Sequence, residues 1–161
     1  MKYFSTFAKN LRTMQITEDD ENIYKIATGT TPEDLKNRKK FITDFYVQWA
    51  ISNPTKQVYN QSLKNFIEVR FLSIQETASK AAIRYKSTLA VTFLTEILEN
   101  AVIVGKPQEP KKGNTRQKRF SKIHILEYEK TDFGKIKLTV GELRESGQKL
   151  QYCITAIENG Y

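Results

Sequence analysis

The stretch RFSKIHILEY, Arg119–Tyr128, holds His124, the only histidine of the 161 residues. An imidazole titrates near neutral pH and can give or take a proton. Just before it comes a burst of cations: Lys111, Lys112, Arg116, Lys118 and Arg119. A proton carrier beside fixed positive charge suits metal-independent RNA cleavage. In that reaction the 2′-hydroxyl attacks the neighbouring phosphorus and a base removes its proton. An acid protonates the leaving 5′-oxygen, and a cation stabilises the charged phosphorane. Only RNA carries the internal nucleophile, so RNA is the expected substrate.

Two nearby segments offer partners for the imidazole. In GKIKLTV, Lys135, Lys137 and Thr139 alternate with Ile136, Leu138 and Val140. In KIHILEY, Lys122, His124, Leu126 and Tyr128 share one face, and in LQYCITAI Tyr152 and Ile154 oppose Gln151, Cys153 and Thr155. If the three strands pair in chain order, His124, Lys137, Thr139 and Tyr152 (or Thr155) converge on one patch. Lys137 would supply charge, and Tyr152 a hydrogen bond or a stacking surface. Register is not written in these segments, and a slip of one residue exchanges the faces. The plainer alternative is a structural histidine on a strand whose lysines form a solvent face.

Other chemistries lack their residues. One His and one Cys make no zinc finger. There is no Walker loop, no Gly-x-Gly-x-x-Gly and no EF-hand spacing, so neither a metal nor a cofactor is expected. Cys153 has no disulfide partner in the chain and lies in an apolar run, as an inert thiol does. The net charge of +8 favours partners that carry phosphate, hence RNA or other nucleic acid. No apolar run reaches membrane-span length, and the start lacks a signal-peptide pattern, so the expectation is a cytoplasmic protein with no membrane partner.

These residues must be held by elements that the pattern also predicts. Ser5–Met14 has helical spacing, the acidic Glu18–Glu21 reads as a turn, and NIYKIATG as a short strand. A helix should begin at TTPED, with Thr31 as N-cap, Pro32 at the first position and two acids in the first turn. Leu35, Ile42, Phe45 and Trp49 give it an apolar stripe, which makes Trp49 core, and Asn53-Pro54 ends it. NFIEVRFLS alternates like a strand. Ser73-x-x-Glu76 has the form of a capping box and should start a helix over about 74–85. Ser87 should cap another that runs to about Asn100. AVIVG reads as a short buried strand, and Lys106–Arg119 as a flexible basic loop. Phe120–Glu129 and Gly134–Val140 form a hairpin, and Leu150–Ile157 a third strand. Helices first and antiparallel strands after them predict an α+β fold, N-terminal helices packed on a C-terminal meander sheet. The expected division is a helical extension over 1–60 and an α+β domain over 61–161.

The run FIEVRFLSIQETASKAAIRYKS, LTEILENAVIVG, a basic gap, RFSKIHILEY, GKIKLTVGEL and LQYCITAI resembles the large polyvalent protein-associated domain of the third type, from mobile-element proteins. That domain is related to phage MuF-type C-terminal domains. The resemblance covers about 65–158. It implies membership of the barnase–EndoU–colicin–RelE nuclease group and an endoribonuclease activity. It also implies site residues at His124 (the "IH" strand), Lys137 and Thr139 ("KLTV") and Tyr152 (last strand), with Ser73 and Glu76 at the helix start. Ile125 and Leu126 depart from the polar residues that often follow the family's "IH". The competing expectation is a catalytically inactive module that binds nucleic acid through Lys111, Lys112, Arg116, Lys118 and Arg119, or that binds an inhibitor or host protein.

Overall fold

The computed structural model describes residues 26–157. Helix α1, Pro32–Ser52, starts as its sequence predicts. The Thr31 side chain accepts a hydrogen bond from the Asp34 amide, and the Asp34 carboxylate accepts one from the Thr31 amide. Ile42, Tyr46 and Trp49 lie buried along one side of α1. The Trp49 indole donates to Thr95 Oγ1 at 2.8 Å, so its one polar atom is satisfied.

Strands β1, Gln57–Asn60, and β2, Asn65–Glu68, form a hairpin. Three short helices follow: α2, Phe71–Ala81; α3, Tyr85–Ala90; and, after a 3₁₀ turn at Val91–Phe93, α4, Leu94–Asn100. Then come β3, Val102–Ile103; β4, Phe120–Lys130; β5, Gly134–Leu143; and β6, Lys149–Ile157.

The fold is α+β, with one six-stranded sheet in the order β1-β2-β6-β5-β4-β3. The meander is β4-β5-β6. The sheet extends beyond it because β2 joins β6 in parallel through Ile67↔Lys149 and Glu68↔Leu150, so the sheet is mixed. It also curls until the turn after β1 meets the other edge, where Ser62 Oγ accepts from the Ile103 amide at 2.9 Å. Buried Asn60 seals this junction by donating to the carbonyls of Leu98 and Ala101 at the end of α4.

One face of the sheet packs on the helices. Val58, Ile67, Leu126, Ile136, Leu138, Val140 and Ile154 meet Ile42, Trp49, Ile74, Leu94 and Ile97 in the main core. The second face carries a smaller cluster of Phe120, Ile123, Leu150 and Tyr152.

Several expected elements differ. Helix α2 begins at Phe71, with Arg70 as N-cap and no side-chain cap, so Ser73-x-x-Glu76 is not a capping box. Ser73 and Glu76 are instead buried within the helix. Ser87 lies buried inside α3, where its hydroxyl meets the Ala156 backbone instead of capping a helix. Strand β3 is an edge, and Val102 and Val104 are exposed, whereas the sequence suggested a buried strand. Ile26–Gly29 has no strand. The expected N-terminal helix and acidic turn fall outside the described residues.

Arg38 binds α1 to the rest of the helical layer, and its side chain is fully buried. Its guanidinium donates to the carbonyls of Ala82 (2.6 Å), Ala27 (2.8 Å), Gly29 (2.8 Å) and Ile83 (3.3 Å). Ala82 and Ile83 lie at the C-terminal end of α2, where the helix dipole and unpaired carbonyls favour a cation. Removing the guanidinium strands these carbonyls in the interior. Arg38→Ala should therefore lower unfolding free energy by about 3–5 kcal/mol in urea melts. Arg38→Lys, which cannot fork to four acceptors, should recover only a minor part.

Candidate functional site

The β4–β5 register decides where the candidate residues go. His124 lies opposite Val140, and Lys137 lies opposite Glu127. Residues paired across a ladder share a face. His124 therefore faces the helices with Leu126, Val140 and Ile154, while Lys137 and Thr139 face the other way. The expected convergence of His124 with Lys137 and Thr139 does not form. On the second face Lys137 has Glu127 on one side and Thr155 on the other, and Thr139 lies between Ile125 and Cys153.

Tyr152 owes its position to a β-bulge. Thr139 pairs with Cys153 and the next residue, Val140, pairs with Gln151, so Tyr152 is the extra residue of β6. Its ring packs edge-to-face on Phe120 with centroids 5.5 Å apart, and Phe120 in turn covers Gly141. The Tyr152 hydroxyl is buried without a hydrogen bond of good geometry, although Glu76 and Gln117 are its neighbours. Burial first, and then the charge of Glu76, push the phenol above its ordinary value. The same two causes push the Cys153 thiol up to about 12, which keeps it protonated and unreactive at neutral pH.

His124 finds other partners. Its Nε2 lies 3.1 Å from Glu142 Oε1, and Lys149 Nζ lies 3.2 Å from the same oxygen. His124 is 9% exposed. Desolvation acts to raise the Glu142 carboxyl, but the hydrogen bonds from His124 and Lys149 outweigh it and hold the group below its ordinary value. Sequence reasoning missed this triad because it ended the strand at Val140. The strand runs on to Leu143, and counting by twos from Leu138 and Val140 places Glu142 on the histidine's face.

The basic segment is anchored across the second face. Gln108 and Ile123 exchange backbone hydrogen bonds at 2.7 and 2.8 Å. Gln117 is buried and accepts from the Lys111 amide at 2.7 Å. Arg116 reaches Glu76 of α2 at 2.6 Å, and Arg144 donates to the carbonyls of Arg119 and Lys118. Arg119 stacks its guanidinium 4.8 Å over the Phe120 ring. Lys106, Lys111, Lys112 and Lys118 remain exposed. The loop thus presents exposed lysines on an anchored backbone.

Four buried polar atoms lack a hydrogen-bond partner among the described residues: Ser73 Oγ, Gln151 Oε1, Tyr152 Oη and Arg119 Nε. Tyr152 and Arg119 are neighbours, and Ser73 and Gln151 belong to α2 and β6. Among the described residues no group of three or more His, Cys, Asp or Glu side chains is placed to hold a metal, and no helix is long and apolar enough to cross a membrane.

A curled mixed sheet with helices on one face and an anchored cationic loop on the other defines an α+β domain with a basic surface. The family model of the large polyvalent protein-associated domain 3 matches residues 33–152, and the chain belongs to that family. The match takes in α1 as well as most of the sheet, ending within β6. No curated protein and no solved structure matches the chain.

Two outcomes follow from this geometry. The Glu142 carboxyl has a depressed pKa, so the stability it contributes is present above its ordinary value of 4.5 and is lost as pH falls through the folded value. Glu142→Gln should cost about 1–2 kcal/mol at pH 7 and flatten the dependence of Tm on pH below pH 4.5, followed by circular dichroism. Gly141→Ala would set a methyl 2.5 Å from the Phe120 ring. It should cost about 1–3 kcal/mol and shift the Tyr152 ring resonances in an NMR spectrum.

Proposed function

We propose that this chain is a nucleic-acid-binding domain of a phage or mobile-element protein, and that the anchored basic loop is its phosphate-contacting surface. The observation that carries the reading is the exposure of Lys106, Lys111, Lys112 and Lys118 on a segment pinned by Gln108, Gln117 and Arg116. An anchored backbone loses little loop freedom on binding, and each phosphate that the lysines neutralise releases counterions. In this reading His124 serves the His124–Glu142–Lys149 triad and does not touch the ligand.

The test is binding of a labelled RNA by fluorescence anisotropy across a salt series. The quadruple change of Lys106, Lys111, Lys112 and Lys118 to Glu leaves the Arg116 anchor in place. It should weaken binding ~100-fold or more and make the salt slope shallower by about one per lysine that contacts phosphate. Unchanged affinity, or binding by the wild type that ignores salt, would refute the reading.

One observation favours a second reading, metal-independent RNA cleavage. His124, Glu142 and Lys149 join a proton donor, a carboxylate and an ammonium within 3.1 and 3.2 Å, the three roles that cleavage requires. The original set of His124, Lys137, Thr139 and Tyr152 would not act together, because the sheet lies between His124 and the Lys137–Thr139 pair. Incubation of a generic RNA in EDTA separates the readings. Cleavage by the wild type that is lost in His124→Ala supports catalysis. Binding without cleavage in either protein leaves the non-catalytic module.

A further inference from the structure

Apolar residues of a two-faced sheet belong on its packed side, and β1 and β2 follow that rule with Val58 and Ile67. Their outer side carries the polar pair Gln57–Glu68 and, next to it, two aromatic rings. Tyr59 and Phe66 pair across the two strands, 45% and 51% exposed. The rings stand edge-to-face, with centroids 5.3 Å apart and an angle of 76°. Neither ring covers the other, so aromatic surface stays open to solvent.

The charges around the rings are mostly positive, and the acid on their side, Glu68, is paired. From Asn53 to Ile67 the chain has Lys56 and Lys64 and neither Asp nor Glu. Lys64, in the turn, is exposed. The next acid, Glu68, is already engaged by Arg70 at 3.1 Å and by Gln148 at 2.5 Å.

The register makes this surface continuous with the basic loop. Phe66 and Glu68 share a face of β2, Glu68 lies opposite Leu150, and Leu150 lies opposite Gly141, which lies opposite Ile123. That is the face under the loop. Between rings and loop stand Arg70 and Arg119. Desolvation first, and then the charge of Arg70, hold the Arg119 guanidinium below its ordinary value. Two guanidinium groups close enough to repel each other are better accommodated with an anion between them.

We propose that the β1–β2 hairpin is a stacking platform for a single-stranded nucleic acid: unpaired bases lie on Tyr59 and Phe66, and the sugar–phosphate backbone runs past Arg70 and Arg119 to the basic loop. The chemistry that selects the ligand is the pairing of open π faces with cations, the nearby Glu68 being held by Arg70 and Gln148. Every base has a π face, so this platform tolerates sequence, whereas a duplex buries its bases and can use only the cationic part. The proposal rests on the nucleic-acid reading of the loop and adds the strandedness of the ligand.

The test measures anisotropy of a fluorescein-labelled ten-nucleotide oligouridylate and of a labelled RNA duplex with three proteins. They are the wild type, Tyr59→Leu/Phe66→Leu, and the loop variant with Lys106, Lys111, Lys112 and Lys118 changed to Glu. Leucine keeps apolar bulk on the hairpin and removes the π face, and circular dichroism melts check that the fold persists. The double leucine variant should bind oligouridylate about ten-fold more weakly or worse, in the range of one lost stacked base, and bind the duplex like the wild type. Tyr59→Phe/Phe66→Tyr should retain wild-type affinity for both. Should the leucine pair unfold, Phe66→Leu alone and Tyr59→Leu alone carry the same comparison. Equal losses on both ligands, or no loss on oligouridylate while the wild type binds it, overturn the platform and leave the loop reading standing. A wild type that binds neither ligand overturns both. Loss of oligouridylate binding in the leucine pair, with none in the loop variant, supports the platform and removes the loop.

Discussion

Arg38 carries a charge into the interior, and among the described residues it is held by backbone carbonyls and not by an ion pair. Taking a guanidinium out of water costs several kcal/mol, and this cost is offset by four backbone carbonyls and the negative end of α2. The four acceptors come from the segment leading into α1 and from the turn that leaves α2. One planar group thereby fixes how α1 lies against α2 and where α3 starts. The position of α2 then governs the second face, since α2 supplies Glu76 to Arg116 and Thr77 to Gln151. The anchoring of the basic loop is thus tied, two contacts removed, to a side chain on another helix.

Local signals in the sequence were sufficient for α1 and for the C-terminal strands. Thr31 with Pro32 and Asp34 marks the start of α1, and Ile42 and Trp49 mark its buried side, because capping and helical periodicity act within a few residues. The β4–β5 hairpin and β6 were legible from alternation. Ser73-x-x-Glu76 misled because its spacing fits a cap, while Glu76 has a stronger partner forty positions away in Arg116. Arg38 and Asn60 were illegible for a related reason: their partners are backbone carbonyls, which have no residue code.

The candidate site failed to assemble at one level only. Within β4 and β5 the division of faces was read correctly from period two, whereas in β6 Tyr152 and Ile154, expected on one face, lie in the second-face cluster and the main core. Which face of β4 matches which face of β5 depends on register, and the ladder sets His124 with Val140 and Lys137 with Glu127. A bulge then shifts β6 by one residue at Tyr152, and no composition signal announces it. The basic loop shows the converse. Its Pro, Gly and Lys content reads as chain freedom, and buried Gln117 with the Arg116–Glu76 pair turns it into a fixed surface.

Strand β6 is the last described strand in the chain and yet lies between β2 and β5 in space. Its parallel partner β2 precedes it by some eighty residues, and the whole helical layer and the β4–β5 hairpin intervene. Ends so distant in sequence must close a large loop before any contact rewards them, which slows the search for the native topology. During synthesis on the ribosome, the hairpin bearing Val58 and Ile67 and the ribbon bearing Leu138 and Val140 each wait with an unpaired edge until Lys149–Ile157 has emerged. The central strand is therefore the keystone of assembly, and the nascent chain is most open to aggregation just before it arrives.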